Sequence, residues 1–120
     1  MSSNVNFLNQ PQRQFQEWTV SGNDKRHFLV YRLDERLPQC PGIYLFAKSA
    51  GLLGFGWHPI YVGIADDIAQ RHSNHERRDD ALRWGATHLH VHECENALAR
   101  FHLEASMIEI HQPPLNKHHR

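Results

Sequence analysis

The sequence is short of cysteine, of long apolar runs and of any excess of one charge, and each shortage narrows what the chain can be. Its two cysteines, Cys40 and Cys94, stand far apart and fit no Cys-x-x-Cys metal spacing; they read as reduced, partly buried thiols. No run of about 18 apolar residues occurs, so no transmembrane helix and no membrane partner are expected. Met1 to Gln10 is polar and lacks a basic stretch followed by an apolar one, so a secretory leader is not expected and a cytoplasmic location is. Lys plus Arg number 13, Asp plus Glu also 13, and the formal net charge is zero. A protein that grips DNA unaided usually carries a basic excess, so composition alone does not point to nucleic acid. The 11 histidines add positive charge only as pH falls toward about 6.

What is present fits one modest core. A chain of 120 residues, 40% of them hydrophobic, suffices for a sheet covered by a few helices. Residues 1–16 are rich in Asn, Gln and Ser and read as a loose arm. Glu17 to Val20 and His27 to Leu33 read as strands joined by the turn composition Ser21-Gly22-Asn23-Asp24. Gly42 to Ala47 and Ile60 to Ile64 read as paired strands. Between them, residues 48–59 read as a long loop with an apolar tip of Leu52, Leu53, Phe55 and Trp57. Asp66 or Asp67 starts a helix to about Arg78, and a second short helix runs from Asp79 to Gly85.

His88 to Cys94 alternates as a strand, with His88, His90 and His92 forming a solvated face. Asn96 caps a helix from Ala97 to His111 whose apolar stripe is Leu98, Phe101, Ala105 and Ile108, ended by Pro113-Pro114. The fold class is therefore α+β: a small three-stranded mixed or antiparallel sheet flanked by helices, with an extra N-terminal β-hairpin. Residues 1–38 form the arm and hairpin extension, and residues 39–120 the main domain.

Several polar residues stand where folding does not call for them. Tyr44 and Tyr61 each lie near a glycine on neighbouring strands, Arg71 and His75 share a helix face, Glu104 borders an apolar stripe, and Asn116 follows a Pro-Pro turn. Singly, each has a plain structural explanation as strand aromatic, surface charge, ion-pair partner of Arg100 or turn residue. Together they supply what phosphodiester hydrolysis requires. That reaction needs a hard carboxylate for a divalent cation, a base for the attacking water, and a guanidinium for the charge that builds up on phosphorus.

Gly42-Ile43-Tyr44 followed by Tyr61-Val62-Gly63 resembles the GIY-YIG nuclease family, which is named for those two tripeptides. Arg71, His75, Glu104 and Asn116 follow in that family's order and spacing, and the resemblance spans about residues 41–117. It implies a divalent-metal-dependent endonuclease acting on DNA, of the kind used in repair or recombination; low intrinsic sequence specificity is expected because the sequence shows no separate DNA-reading module such as a zinc finger. In that reading Glu104 holds one Mg²⁺ or Mn²⁺ ion and Arg71 faces the scissile phosphate. Tyr44 and Tyr61 lie by the attacking water, one as base. His75 relays a proton or contacts phosphate, Asn116 orients the site, and Gly63 permits close backbone approach. A homo-oligomer or a protein partner would supply affinity. The sequence departs from the pattern in the long gap between Tyr44 and Tyr61 and in the acidic pair Asp66-Asp67, whose charges repel phosphate unless they point away. The alternative is a non-catalytic DNA- or protein-binding module on the same fold, favoured by the neutral charge.

Overall fold

The computed structural model describes residues 13–50, 56–73 and 76–117. Among them five strands form one antiparallel sheet: β1 (Phe15–Ser21), β2 (Asp24–Arg32), β3 (Gly42–Ser49), β4 (Trp57–Ala65) and β5 (His88–Glu93). Their order across the sheet is β1-β2-β5-β3-β4. Four helices accompany them: α1 (Ile68–Ser73), α2 (Glu76–Arg83), α3 (Ala97–His111) and α4 (Pro114–Lys117). The α+β class stands, but the sheet has five strands where three were expected. The N-terminal hairpin is not an appendage: β2 pairs with β5 in the register Leu29↔Val91 to Arg32↔His88, which makes the hairpin continuous with the sheet. Among the described residues no helix is long and apolar enough to cross a membrane.

Several boundaries move for physical reasons. Phe15 and Gln16, expected in the arm, pair with Leu29 and Phe28 as the start of β1. The strand β4 begins at Trp57, so residues 57–59 are not loop. Pro59 is tolerated there because β4 lies at the sheet edge, where a missing N–H costs no ladder bond, and because the register shifts beside it between Phe46 and Ala47. The expected apolar tip at Leu52, Leu53 and Phe55 lies outside the described residues. Trp57 itself stands edge-on to His88 and His90.

The helix expected from Asp66 to Arg78 is two pieces. Asp67 caps α1, its carboxylate accepting from the Gln70 N–H at 3.2 Å. The second piece begins at Glu76 rather than Asp79 and stops before Gly85, whose φ of +93° suits a residue without Cβ. The Pro-Pro pair follows the end of the helix Ala97–His111 as expected, and Pro114 then opens the helical turn α4.

Helix α3 has the expected bounds and the expected cap: the Asn96 side chain accepts from the Ala99 N–H at 2.8 Å. Its buried face is different. Of the expected stripe Ile108 does pack against the core, beside Leu103 and Met107, whereas Leu98, Phe101 and Ala105 are exposed and Arg100 is buried one turn before Glu104. Three- and four-residue steps fix that residues share a face but not which of two overlapping faces is covered. Here Met107 sits deepest and turns the Leu98–Phe101 side outward.

The sheet buries side chains on both faces. Tyr44, Phe46, Leu89, Val91 and Ile68 form one core, beneath α1, α2 and α4. Trp18, Val20, Phe28, Ile43, Leu45, Val62 and Met107 form the other, beneath α3. The histidine face of β5 belongs to the second core. His90 is fully buried there rather than solvated, because Trp18 reaches over β2 to donate its indole N–H to His90 Nδ1 at 2.9 Å.

Candidate active site

Strand alternation puts Tyr44 and Phe46 on the face opposite Ile43 and Leu45, and the register sets Tyr44 against Gly63. The Tyr44 ring lies across Gly63: a Cβ there would stand 2.5 Å from both Cζ and Oη of the phenol. Gly63 therefore admits the Tyr44 ring, a packing role within the chain that differs from the backbone approach the resemblance implied for it. Tyr61, diagonal to Tyr44 on β4, is half-buried, and the two ring centroids are 6.2 Å apart.

Helix α1 carries Ile68 and His72 on its buried side and presents Arg71 to solvent. The Arg71 guanidinium hydrogen-bonds to the Tyr44 phenol, and this contact with the ring raises the guanidinium's pKa further. Burial pushes the Tyr44 phenol well above its ordinary value, and the Arg71 bond only partly offsets that. Glu104 approaches from α3, which packs on the other side of the sheet. It is half-buried, burial holds its carboxyl above the usual carboxylate range, and Arg71 draws it back. Tyr44, Tyr61, Arg71 and Glu104 thus meet, within electrostatic reach of one another, near the outer strand β4.

Asn116 holds that strand. Its side-chain amide donates to Val62 C=O at 3.0 Å, and its carbonyl accepts from Val62 N–H at 2.9 Å. Edge strand β4 has no sixth strand beyond it among the described residues, and the amide of Asn116 stands in for one peptide unit of it. His75 lies outside the described residues. The acidic pair is accounted for: Asp67 caps α1, and Asp66 accepts from Arg100 at 2.6 Å.

Two residues near the site were not singled out from sequence. Arg100, buried on α3, donates also to the carbonyls of Cys94 and Glu95 and so ties the start of Glu104's helix to the loop that precedes α1. It does not serve as ion-pair partner to Glu104. A charged residue one turn before Glu104 was the available signal. His72 packs edge-on against Tyr44, with centroids 4.4 Å apart, and its signal was the four-residue step from Ile68.

The chain is 32% identical over 92 residues to a protein of Mycobacterium tuberculosis (strain CDC 1551 / Oshkosh) named as a bifunctional exonuclease/endonuclease. The match covers 71% of this chain and 13% of that protein, so this chain spans only a small part of its relative. No family model matches the chain. No solved structure matches it.

Among the described residues no group of three His, Cys, Asp or Glu side chains is placed to hold a metal ion. Among the described residues Glu104 is the carboxylate at the site. That suits a hard cation such as Mg²⁺, which commonly keeps most of its waters and takes one or two carboxylates plus phosphate oxygens. The environment of Glu104 fits as well, since a carboxylate whose charged form is disfavoured by burial gains from a cation.

Proposed function

We propose that the chain is a GIY-YIG-type endonuclease, using a divalent cation to hydrolyse phosphodiester bonds in DNA with little sequence preference of its own. The observation that carries this reading is the meeting of Tyr44, Tyr61, Arg71 and Glu104, drawn from two strands and two helices, with Gly63 opened to admit the Tyr44 ring. The name of the mycobacterial relative points the same way. An ordinary surface ion pair has no need of two phenols and a glycine cut to fit one of them.

The chain's own residues divide the work. Glu104 would hold the cation, which when bound supplies Lewis acidity and charge neutralisation at the phosphate. Arg71 is exposed on one side and hydrogen-bonded on the other, so its free N–H donors face incoming phosphate oxygens and take up charge in the transition state. Tyr44 is too buried to ionise readily. We assign it to aiming Arg71. Tyr61 is the half-exposed phenol and is assigned to the attacking water. Asn116 keeps β4, and with it Tyr61 and Gly63, in register.

The test is cleavage of supercoiled plasmid and of single-stranded and branched oligonucleotides with Mg²⁺, Mn²⁺ or EDTA. Metal-dependent cleavage that is lost in Arg71→Ala and in Glu104→Gln is the expected result. Full activity in both variants would remove the mechanism. Tight DNA binding without turnover at any metal concentration would favour the binding module instead, the reading that the zero net charge supports.

A further inference from the structure

A cleft of about 530 Å³ opens beside the candidate active site, between the segment 33–39 and helices α1 and α2. It is built on backbone contacts. The Ile68 N–H donates to Cys40 C=O at 2.9 Å and the Ala69 N–H to Pro38 C=O at 3.1 Å, which fixes α1 against the segment. Its lining combines apolar side chains, Leu37, Pro38 and Ala69 among them, with the guanidinium groups of Arg36 and Arg78. Arg78 is half-buried and donates one N–H to Leu33 C=O at 2.9 Å, so its position is set while other donors stay available. Arg36 is exposed.

The acid in the same cleft, Glu35, is already compensated. It accepts from Arg13 at 2.9 and 3.3 Å and from the Arg32 N–H at 2.7 Å, and Arg13 holds its carboxyl below the usual range. With Glu35 so paired, Arg36 and Arg78 are the cationic side chains of the lining. His72 forms part of the lining and is the same ring that packs edge-on against Tyr44.

We propose that this cleft is a nucleotide subsite: Arg36 and Arg78 take the phosphate, and Leu37, Pro38 and Ala69 take the base of a nucleotide flanking the scissile bond. This rests on the nuclease reading and deepens it. The volume is that of a site for a small organic molecule, about 300–1,000 Å³, and exceeds what a bare phosphate fills. A lining that holds both apolar side chains and guanidinium groups suits an aromatic base with an anionic tail. A base seated there has left its stack, which costs a few kcal/mol in an intact duplex and less where strands are already unpaired. The cleft thus selects for DNA that is unpaired or distorted next to the cut.

The experiment is a titration of the full chain in EDTA with thymidine 5′-monophosphate and, separately, with inorganic phosphate, followed by amide NMR shifts. Saturable shifts at Leu37, Ala69 and Ser73 with the nucleotide are expected, weakened about tenfold or more in Arg36→Glu. Arg36→Glu should also raise KM for a branched oligonucleotide by about tenfold or more. No shifts at the cleft, or unchanged affinity in Arg36→Glu, overturns the subsite even if plasmid is cut. Inorganic phosphate binding as tightly as the nucleotide removes the role of the base and overturns it too. Nucleotide binding at the cleft with no cleavage of any DNA overturns the catalytic reading and leaves the subsite standing.

Discussion

Tyr44 and His90 invite comparison. Both are polar rings with no exposed surface, on the adjacent strands β3 and β5, and they face opposite sides of the same sheet. Around Tyr44 stand Arg71, Tyr61 and Glu104, each of them partly open to solvent. Around His90 stand the Trp18 indole and the Trp57 ring, with apolar side chains beyond. Because an indole N–H only donates, His90 Nδ1 must accept, which fixes the proton on Nε2. Burial pushes its pKa down to about 3, so His90 remains neutral. One ring is coupled to ionisable groups and to the exterior, whereas the other is sealed among tryptophans. A buried polar group suggests chemistry only when other titratable groups converge on it from the solvent side.

The sharpest separation of the two faces is in catalysis. Glu104→Gln and Arg71→Ala should each lower metal-dependent cleavage by about 100- to 1,000-fold, while His90→Gln leaves single-turnover rates at wild-type level. A comparable loss in His90→Gln would erase the distinction. Gly63→Ala comes next. Its added Cβ meets the Tyr44 ring at 2.5 Å, so the ring must move and take its bond to Arg71 with it. A drop of about 100-fold in activity is expected, from a protein destabilised by about 1–3 kcal/mol in urea.

The His90 side is read out in stability instead. Its pKa is about 3 in the folded chain and about 6.5 when unfolded, so the unfolded state binds a proton first as pH falls. The stability that comes from keeping His90 neutral is whole above about pH 6.5. Between there and about pH 3 it declines by up to about 1.4 kcal/mol per pH unit. Denaturant melts at pH 7, 6 and 5 should show this slope, and its persistence in His90→Gln would assign it elsewhere.

Asn116→Ala removes both bonds to Val62 and should cost about 1–3 kcal/mol, again by denaturant melt. The smallest effect belongs to the outer side of α3. Phe101→Ser, at an exposed position, should change stability by less than about 0.5 kcal/mol, whereas Met107→Ala on the covered side should cost about 2–5 kcal/mol. Equal costs would restore the stripe that periodicity alone suggests.

Local grammar determined much of this protein. The β-strand positions of Tyr44 and Tyr61, the cap at Asn96, the span Ala97–His111, the stop at Gly85 and the α+β class depend on alternation, capping and turn chemistry among near neighbours, all of which a sequence displays. Tyr44, Tyr61, Arg71 and Glu104 could be grouped as candidates because the resemblance that groups them is one of residue type and spacing, a linear property. What depends on long-range packing was not. The five-stranded sheet exists because β2 finds β5, some 60 residues along the chain. His90 is buried because Trp18 crosses a strand to reach it. The covered face of α3 was chosen by how Met107 and Arg100 fit the sheet and Asp66. Asn116 could be listed from its Pro-Pro-Leu-Asn setting, but its work, replacing a missing strand at Val62, becomes visible only once β4 is known to be an edge. Periodicity says which residues share a face; only the packed chain decides which face meets a partner, because burial is a property of pairs of surfaces.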